Sequence, residues 1–302
     1  MAMTAFQRYL AEEVAVDHAD GIIERREALR RLGLLGVSLA AASALLAACA
    51  DDQAGRPRPA ATTPPAGAPS TGGSAAVATQ EVTFAGPEGR TLRGAWAEAR
   101  QPRGAVLVVH ENRGLNDHIR TVAARFAAGG YAALAIDLLS EEGGTAALGD
   151  EGQATAALNQ APPERFVADM RAGLGELARR VPSKKLAATG FCFGGGMVWL
   201  LLASGEPRLA AAAPFYGPLP DDADFSGSKA AELGIYGEQD ARVNATRDAA
   251  KAALERAGLP HEIVTYQGAG HAFFNDTGPR YDPEAAAQAY QRVLDWFGRH
   301  LG

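Results

Sequence analysis

The run Gly190-Phe191-Cys192-Phe193-Gly194 places a cysteine midway between two glycines. Residues 185–190 before it read as a short buried strand, and residues 195–203 after it read as an apolar helix. A chain that passes from strand to helix over so few residues turns so tightly that flanking side chains would clash, hence the glycines. The helix N-terminus then directs its free N–H groups at the sulfur, a setting that favours negative charge there. This is the spacing of a nucleophile elbow, with cysteine where serine is commoner. A lone cysteine is more often a small core residue. The strand-turn-helix context reverses that reading and makes Cys192 the candidate nucleophile.

The rest of the chain supplies a matching frame. Residues 80–84 and 91–97 read as two strands joined at Pro87-Glu88-Gly89, a hairpin. Residues 104–110 form a continuous apolar run with β-branched members, the pattern of a central strand. Further strands are expected at 131–137, 209–216, 230–236 and 262–266, and helices at 118–130, 164–180, 244–257 and 283–301. Alternating strands and helices predict an α/β fold, a mostly parallel central sheet with helices on both faces. Reactive groups then collect at the carboxyl ends of the strands. The polar, Gly-rich stretch 138–163 is long for a connection and is expected to border the site.

The N-terminal region reads differently. Glu24-Arg25-Arg26-Glu27-Ala28-Leu29-Arg30 resembles a twin-arginine export motif. An apolar run over 32–48 follows and ends in Leu46-Ala47-Ala48-Cys49, which resembles the lipobox of bacterial lipoproteins. The resemblance implies an export signal over 1–48, kept out of the fold, and lipidation of Cys49. Residues 49–79, rich in Pro, Ala, Gly, Thr and Ser, then form a disordered tether with a span of roughly 30 Å. The catalytic domain is expected over 80–302, anchored to a membrane through lipid on the exported side. The alternative for the apolar run is an uncleaved membrane anchor.

The two cysteines, Cys49 and Cys192, lie in contexts too different for a structural disulfide, and no Cys/His metal spacing occurs. A net charge of −6 without a basic stripe argues against nucleic acid. The chemistry therefore rests on side chains. A thiol needs a base, and the base needs an orienting acid. His271, in Gly268-Ala-Gly-His271-Ala-Phe-Phe274 just past a strand, is favoured over His110. Asp240, in Tyr236-Gly-Glu-Gln-Asp240, is favoured over Glu238. The order nucleophile, acid, histidine matches that of α/β-hydrolases. Oxyanion donors are expected from the backbone N–H of Phe193 and of Asn112, the latter in the loop after the central strand. Tyr216 and Phe273 are candidates for an apolar substrate pocket, with Phe191 and Phe193.

Gly-Phe-Cys-Phe-Gly-Gly, Tyr-Gly-Glu-Gln-Asp, Gly-Ala-Gly-His-Ala-Phe-Phe and His110-Glu-Asn-Arg-Gly-Leu-Asn116 together resemble the dienelactone hydrolase family over nearly all of 80–302. The resemblance implies an α/β-hydrolase fold and a Cys192–His271–Asp240 triad that cleaves a small ester or lactone through a thioester, with no cofactor and no metal. It also implies that Glu111 contacts the resting thiol. In one respect the chain departs from the pattern. Where dienelactone enzymes carry an arginine for the substrate carboxylate, this chain has Asn275. That points to a neutral ester or lactone unless Arg113 or Arg165 takes over. Two other classes stand beside the hydrolase: an exported binding protein that kept the fold without turnover, and redox work at a lone thiol, which lacks a resolving cysteine.

Overall fold

The computed structural model describes residues 3–53 and 77–302. Eight strands form one sheet: β1 (Gln80–Ala85), β2 (Thr91–Ala97), β3 (Gly104–Val109), β4 (Tyr131–Asp137), β5 (Leu186–Phe191), β6 (Leu209–Phe215), β7 (Ala231–Gly237) and β8 (His261–Tyr266). Their spatial order is β1-β2-β4-β3-β5-β6-β7-β8. The β1–β2 hairpin turns at Pro87–Gly89, as expected, and β2 pairs antiparallel with β4. All later pairings are parallel. β3, β4 and β5 are buried along their whole length, which is why they read as unbroken apolar runs. Helices α4 (Asp117–Ala128) and α10 (Pro283–Leu301) meet over one face, where Phe126 packs edge-on against Tyr290. Helices α6 (Pro163–Arg180) and α7 (Phe193–Ala203) cover the other. This is the α/β-hydrolase fold.

The stretch 138–163 is more ordered than its composition suggests. Asp137 organises its start: Oδ1 accepts from Leu139 N–H and Thr145 Oγ1, and Oδ2 accepts from Thr145 N–H. Helix α5 (Glu151–Gln160) follows, capped by Asp150. The expected helix over 244–257 is split into a short turn, α8 (Ala241–Asn244), and α9 (Arg247–Ala257). Asp240 caps α8, so the acid ends β7's loop and starts a helix in one step.

In this structure the segment expected as an export signal over 1–48 is helical and packs against the sheet domain. Residues 4–53 build three helices, α1 (Ala5–Ala19), α2 (Arg25–Leu34) and α3 (Leu39–Gln53). Thr4 and Gln7 close a capping box on α1. Tyr9, Leu10, Ala11, Val14 and Ala15 of α1 join the core, with Ala28, Leu32, Ala42 and Leu46 of the next two helices. The physical reason is a second pattern laid over the apolar one. Acidic residues of α1 and basic residues of α2 find partners on the sheet domain: Arg280 holds Asp17 and Asp20 at 3.0 and 2.6 Å, and Arg30 reaches Asp150 at 3.1 Å. Arg25 and Arg26 are exposed at the start of α2, and Cys49 is half-buried in α3. Among the described residues no helix is long and apolar enough to cross a membrane. The tether expected over 49–79 begins inside α3, and most of it, residues 54–76, lies outside the described residues.

Asp276 ties α4 to the loop that follows His271. Its carboxylate accepts from His118 Nδ1 at 2.8 Å and from Arg125. The His118 hydrogen bond and the Arg125 charge outweigh burial and lower its pKa to about 2. A depressed carboxyl contributes stability above its unfolded value of 3.8 and loses it as pH falls through about 2. Asp276→Asn is expected to cost about 1–2 kcal/mol at neutral pH, a charge-assisted bond discounted for partial exposure. Chemical denaturation across pH should show the gap between variant and wild type closing on acidification. A gap independent of pH would contradict the assignment.

Candidate active site

Cys192 stands between β5 and α7 with φ 56° and ψ −118°, and it is buried. Such a conformation costs a non-glycine residue about 1–3 kcal/mol and persists only where the surroundings enforce it. Here the enforcement is close packing of backbone. A Cβ on Gly190 would lie 2.3 Å from Gly194 O, and one on Gly194 would lie 2.4 Å from His110 O. Cys192 N–H is itself held by Phe215 O at 3.1 Å. Phe193 opens α7, so its N–H belongs to the first turn and has no acceptor within the helix. Asn112 sits in the loop after β3, and its carbonyl is fixed by Thr155 Oγ1 at 3.0 Å. Thus α5 steadies the loop expected to supply the second oxyanion donor, and the stretch 138–163 does border the site.

His271 and Asp240 come together from the loops after β8 and β7. His271 Nδ1 donates to Asp240 Oδ2 at 2.6 Å, and Asp240 Oδ1 accepts from Val243 N–H at 3.3 Å. Both carboxylate oxygens are therefore committed, which fixes the ring with Nε2 toward the nucleophile. Glu238 is exposed and accepts from Gly268 N–H. His110 is excluded as the base by its own bonds: Nδ1 faces Glu111 O at 2.6 Å while Nε2 accepts from Leu138 N–H at 3.1 Å. Burial also lowers its pKa.

Glu111 is buried, but the hydrogen bond at the thiol comes from elsewhere. Glu111 Oε2 accepts from Asn275 Nδ2 at 2.8 Å. Asn275 Oδ1 accepts from Thr277 N–H and Oγ1, so the amide at the position of the expected arginine joins Glu111 to the Thr277 turn. Arg165 is remote, bound to Glu142 and Glu141 and to Leu138 O. Arg113 reaches Glu151 at 3.3 Å and Asp17 at 3.7 Å at the border of α1. Tyr216 packs edge-on to the His271 ring at 5.1 Å. Phe273 packs on Phe215, Tyr216 and Tyr266 with no exposure, so it supports the site as core, and Phe191 is likewise core, stacked on Phe274.

The residues that sequence reasoning missed belong to α1 and its partners. Tyr9 hydroxyl lies 3.2 Å from Cys192 Sγ and 3.5 Å from His271 Nε2. Glu13 Oε2 lies 3.5 Å from the same Nε2. Glu13 is also paired with Arg242 and, at 3.7 Å, with Arg280. Arg242 donates to Tyr9 O at 3.1 Å and covers the Tyr9 ring at 4.5 Å. Burial pushes the Glu13 carboxyl up, but His271, Arg242 and Arg280 outweigh it and hold it well below the usual range. Burial pulls His271 down, and Glu13 and Asp240 overcome it, holding the imidazole well above its ordinary value. A signal existed: Tyr9, Glu13 and Asp17 recur every fourth residue, one face of a helix. Glu13, Cys192 and His271 also bring three ligand-type atoms within 4.8 Å of one another. The Tyr9 hydroxyl bridges two of them and two arginines neutralise the third, so the trio reads as a hydrogen-bonded set.

Known proteins are similar to this chain in sequence and in fold. The model of the dienelactone hydrolase family matches residues 92–301. A provisionally named carboxymethylenebutenolidase of Yersinia pestis is 34% identical over 212 residues, 66% of this chain and 79% of that one. One from Escherichia coli (strain K12) is 33% identical over 214 residues, 67% and 79% of the two chains. The crystal structure of a provisionally named dienelactone hydrolase from Klebsiella pneumoniae subsp. pneumoniae shares 31% identity with a TM-score of 0.64, covering 74% of this chain and 100% of its own. A dienelactone hydrolase-like promiscuous phosphotriesterase from metagenomic libraries shares 25% identity with a TM-score of 0.63, covering 76% and 100%.

Proposed function

This chain belongs to the dienelactone hydrolase family, and from that premise we propose that it cleaves an ester or lactone with Cys192 as nucleophile, His271 as base and Asp240 as orienting acid. The observation that carries the reading is the 2.6 Å His271–Asp240 hydrogen bond beside a cysteine held at positive φ. In the first half-reaction His271 Nε2 takes the Sγ proton as sulfur attacks the carbonyl carbon. The oxyanion is met by the Phe193 and Asn112 N–H groups. The C–O bond then breaks, and the alkoxide leaves with the proton from His271, which leaves a thioester on Cys192. In the second half-reaction His271 takes a proton from water, hydroxide adds to the thioester, and collapse returns the proton to sulfur and releases the acid. No oxidant, reductant or metal enters this sequence.

With an ester such as p-nitrophenyl acetate, a thioester adduct on Cys192 is expected in the intact mass of quenched enzyme. Cys192→Ala and His271→Ala should lose similar amounts of activity, because the groups act as a unit. Asp240→Asn should cost about 10⁴-fold in kcat through loss of the correct tautomer. Turnover in Cys192→Ala close to wild type would end the reading, as it would if adducts formed elsewhere.

The substrate is proposed to carry a carboxylate, contrary to the neutral one that Asn275 suggests. Support comes from Glu13, whose carboxylate already rests beside His271 between Arg242 and Arg280. For a matched pair of esters, one carboxylated and one methylated, Arg242→Ala should lower the ratio of kcat/KM about ten- to a hundredfold, the weight of one charge-assisted hydrogen bond. The ratio cancels any change in access to the site. An unchanged ratio would favour the neutral substrate.

Export and anchoring are proposed on the sequence motif alone: Arg25-Arg26, the apolar run and Cys49. In the native host the mature protein should begin at Cys49, label with radioactive palmitate and fractionate with membranes. Recovery of soluble chain with residues 1–48 attached would rule this out.

A further inference from the structure

Helix α1 lies on the reacting groups, not beside them. Tyr9 hydroxyl touches both Sγ and Nε2, and Glu13 faces the same nitrogen. Phe6 packs edge-on against Phe193, the residue whose N–H is the expected oxyanion donor, at 6.2 Å between ring centres. Cys192 and His271 retain only 3% and 6% exposure. An ester carbonyl that reached Sγ would have to take the place of the Tyr9 hydroxyl. Yet α1 lies outside the family match, which starts at residue 92, and 74% of this chain covers a solved relative in full. The polar face of α1 is held by side chains of α8 and of loops, none of them from a strand. Arg242 binds Glu13, Arg280 binds Asp17 and Asp20, and Arg113 approaches Asp17.

We propose that α1 is a built-in inhibitor of this enzyme, in which Tyr9 and Glu13 occupy the nucleophile and the base until the helix is displaced or cut away. The proposal rests on the assignment of Cys192 and His271 given above. Glu13 acts in two ways. It fills the place between Arg242 and Arg280 that a substrate carboxylate would take, and it favours the imidazolium of His271, which cannot accept the thiol proton. Removal of the chain ahead of Cys49, the processing proposed above, would take away α1, α2 and most of α3. Export and activation would then be one event.

The test uses the full chain as wild type, as the double variant Tyr9→Ala/Glu13→Lys, and as a form with a specific protease site placed within residues 54–76 and cut. Two rates are read. One is alkylation of Cys192 by iodoacetamide, followed by peptide mass spectrometry so that Cys49 is resolved separately. The other is turnover of p-nitrophenyl acetate. Both should rise by about tenfold or more in the double variant, since even one lost charge-assisted hydrogen bond corresponds to that factor. A synthetic peptide of residues 4–20 should lower both rates again in the double variant, which also shows that its site is folded. Equal alkylation of Cys192 in wild type, variant and cut chain would overturn the proposal. So would lower turnover in the conservative Tyr9→Phe and Glu13→Gln variants, because it would make the two residues part of the working machinery. A rise in alkylation without ester turnover in any form would uphold the inhibitor and sink the hydrolase reading, so the two fail separately.

Discussion

The positive φ of Cys192 is the constraint on which the rest of this molecule depends. No single contact enforces it. It follows from three backbone segments, the ends of β3, β5 and β6, that approach more closely than any side chain would allow. Those strands meet because they are buried parallel neighbours, and β5 is central because helices cover both faces of the sheet. A side chain at Gly190 or Gly194 would therefore push apart the sheet and α7, and the thiol would lose its position at the helix start.

Around this point the charges are arranged in two tiers. The inner tier is Asp240 and His271, with Asp240 committed through both oxygens and His110 withdrawn from competition by hydrogen bonds at both ring nitrogens. The outer tier consists of Arg242, Arg280 and Arg113, which come from α8, the loop before α10 and the loop after β3. In this structure the outer tier is occupied by carboxylates of the chain itself. Glu13 holds two of these guanidinium groups, and Asp17 stands between Arg280 and Arg113. Glu13 is buried despite its charge because desolvation is offset by two guanidinium groups and an imidazole.

Asn275 stands where the family resemblance leads one to expect an arginine, and it has a structural part of its own. Its amide holds Glu111 and the Thr277 turn. The loop from His271 to Asp282 is then fastened to α4 by Asp276 and to α1 by Arg280. His271 is thereby attached to both the sheet domain and the segment that covers it.

Much of this was legible in the residues. The elbow, the order of strands and helices, and the choice of His271 and Asp240 all follow from local rules: glycines where backbone must approach backbone, apolar runs where a strand is buried on both faces, and polar residues just past strand ends. Helix α5 was hidden because its composition resembles a loop until Asp137 and Asp150 impose a turn and a cap. The role of Glu111 was hidden because its partner lies 164 positions away. The largest difference concerns the first fifty residues. By sequence they have the apolar run and paired arginines of a segment that leaves the fold, and nothing local distinguishes that from a helical cover. What the sequence determined alone was the frame of strands, helices and elbow, because tight turns and buried strands are local demands on residue size and polarity. What only the tertiary structure decided was which charges face one another. Ion pairs between Glu13 and Arg242, or Asp17 and Arg280, join residues more than two hundred positions apart, and their partners are chosen by the packing of whole elements rather than by any neighbouring residue.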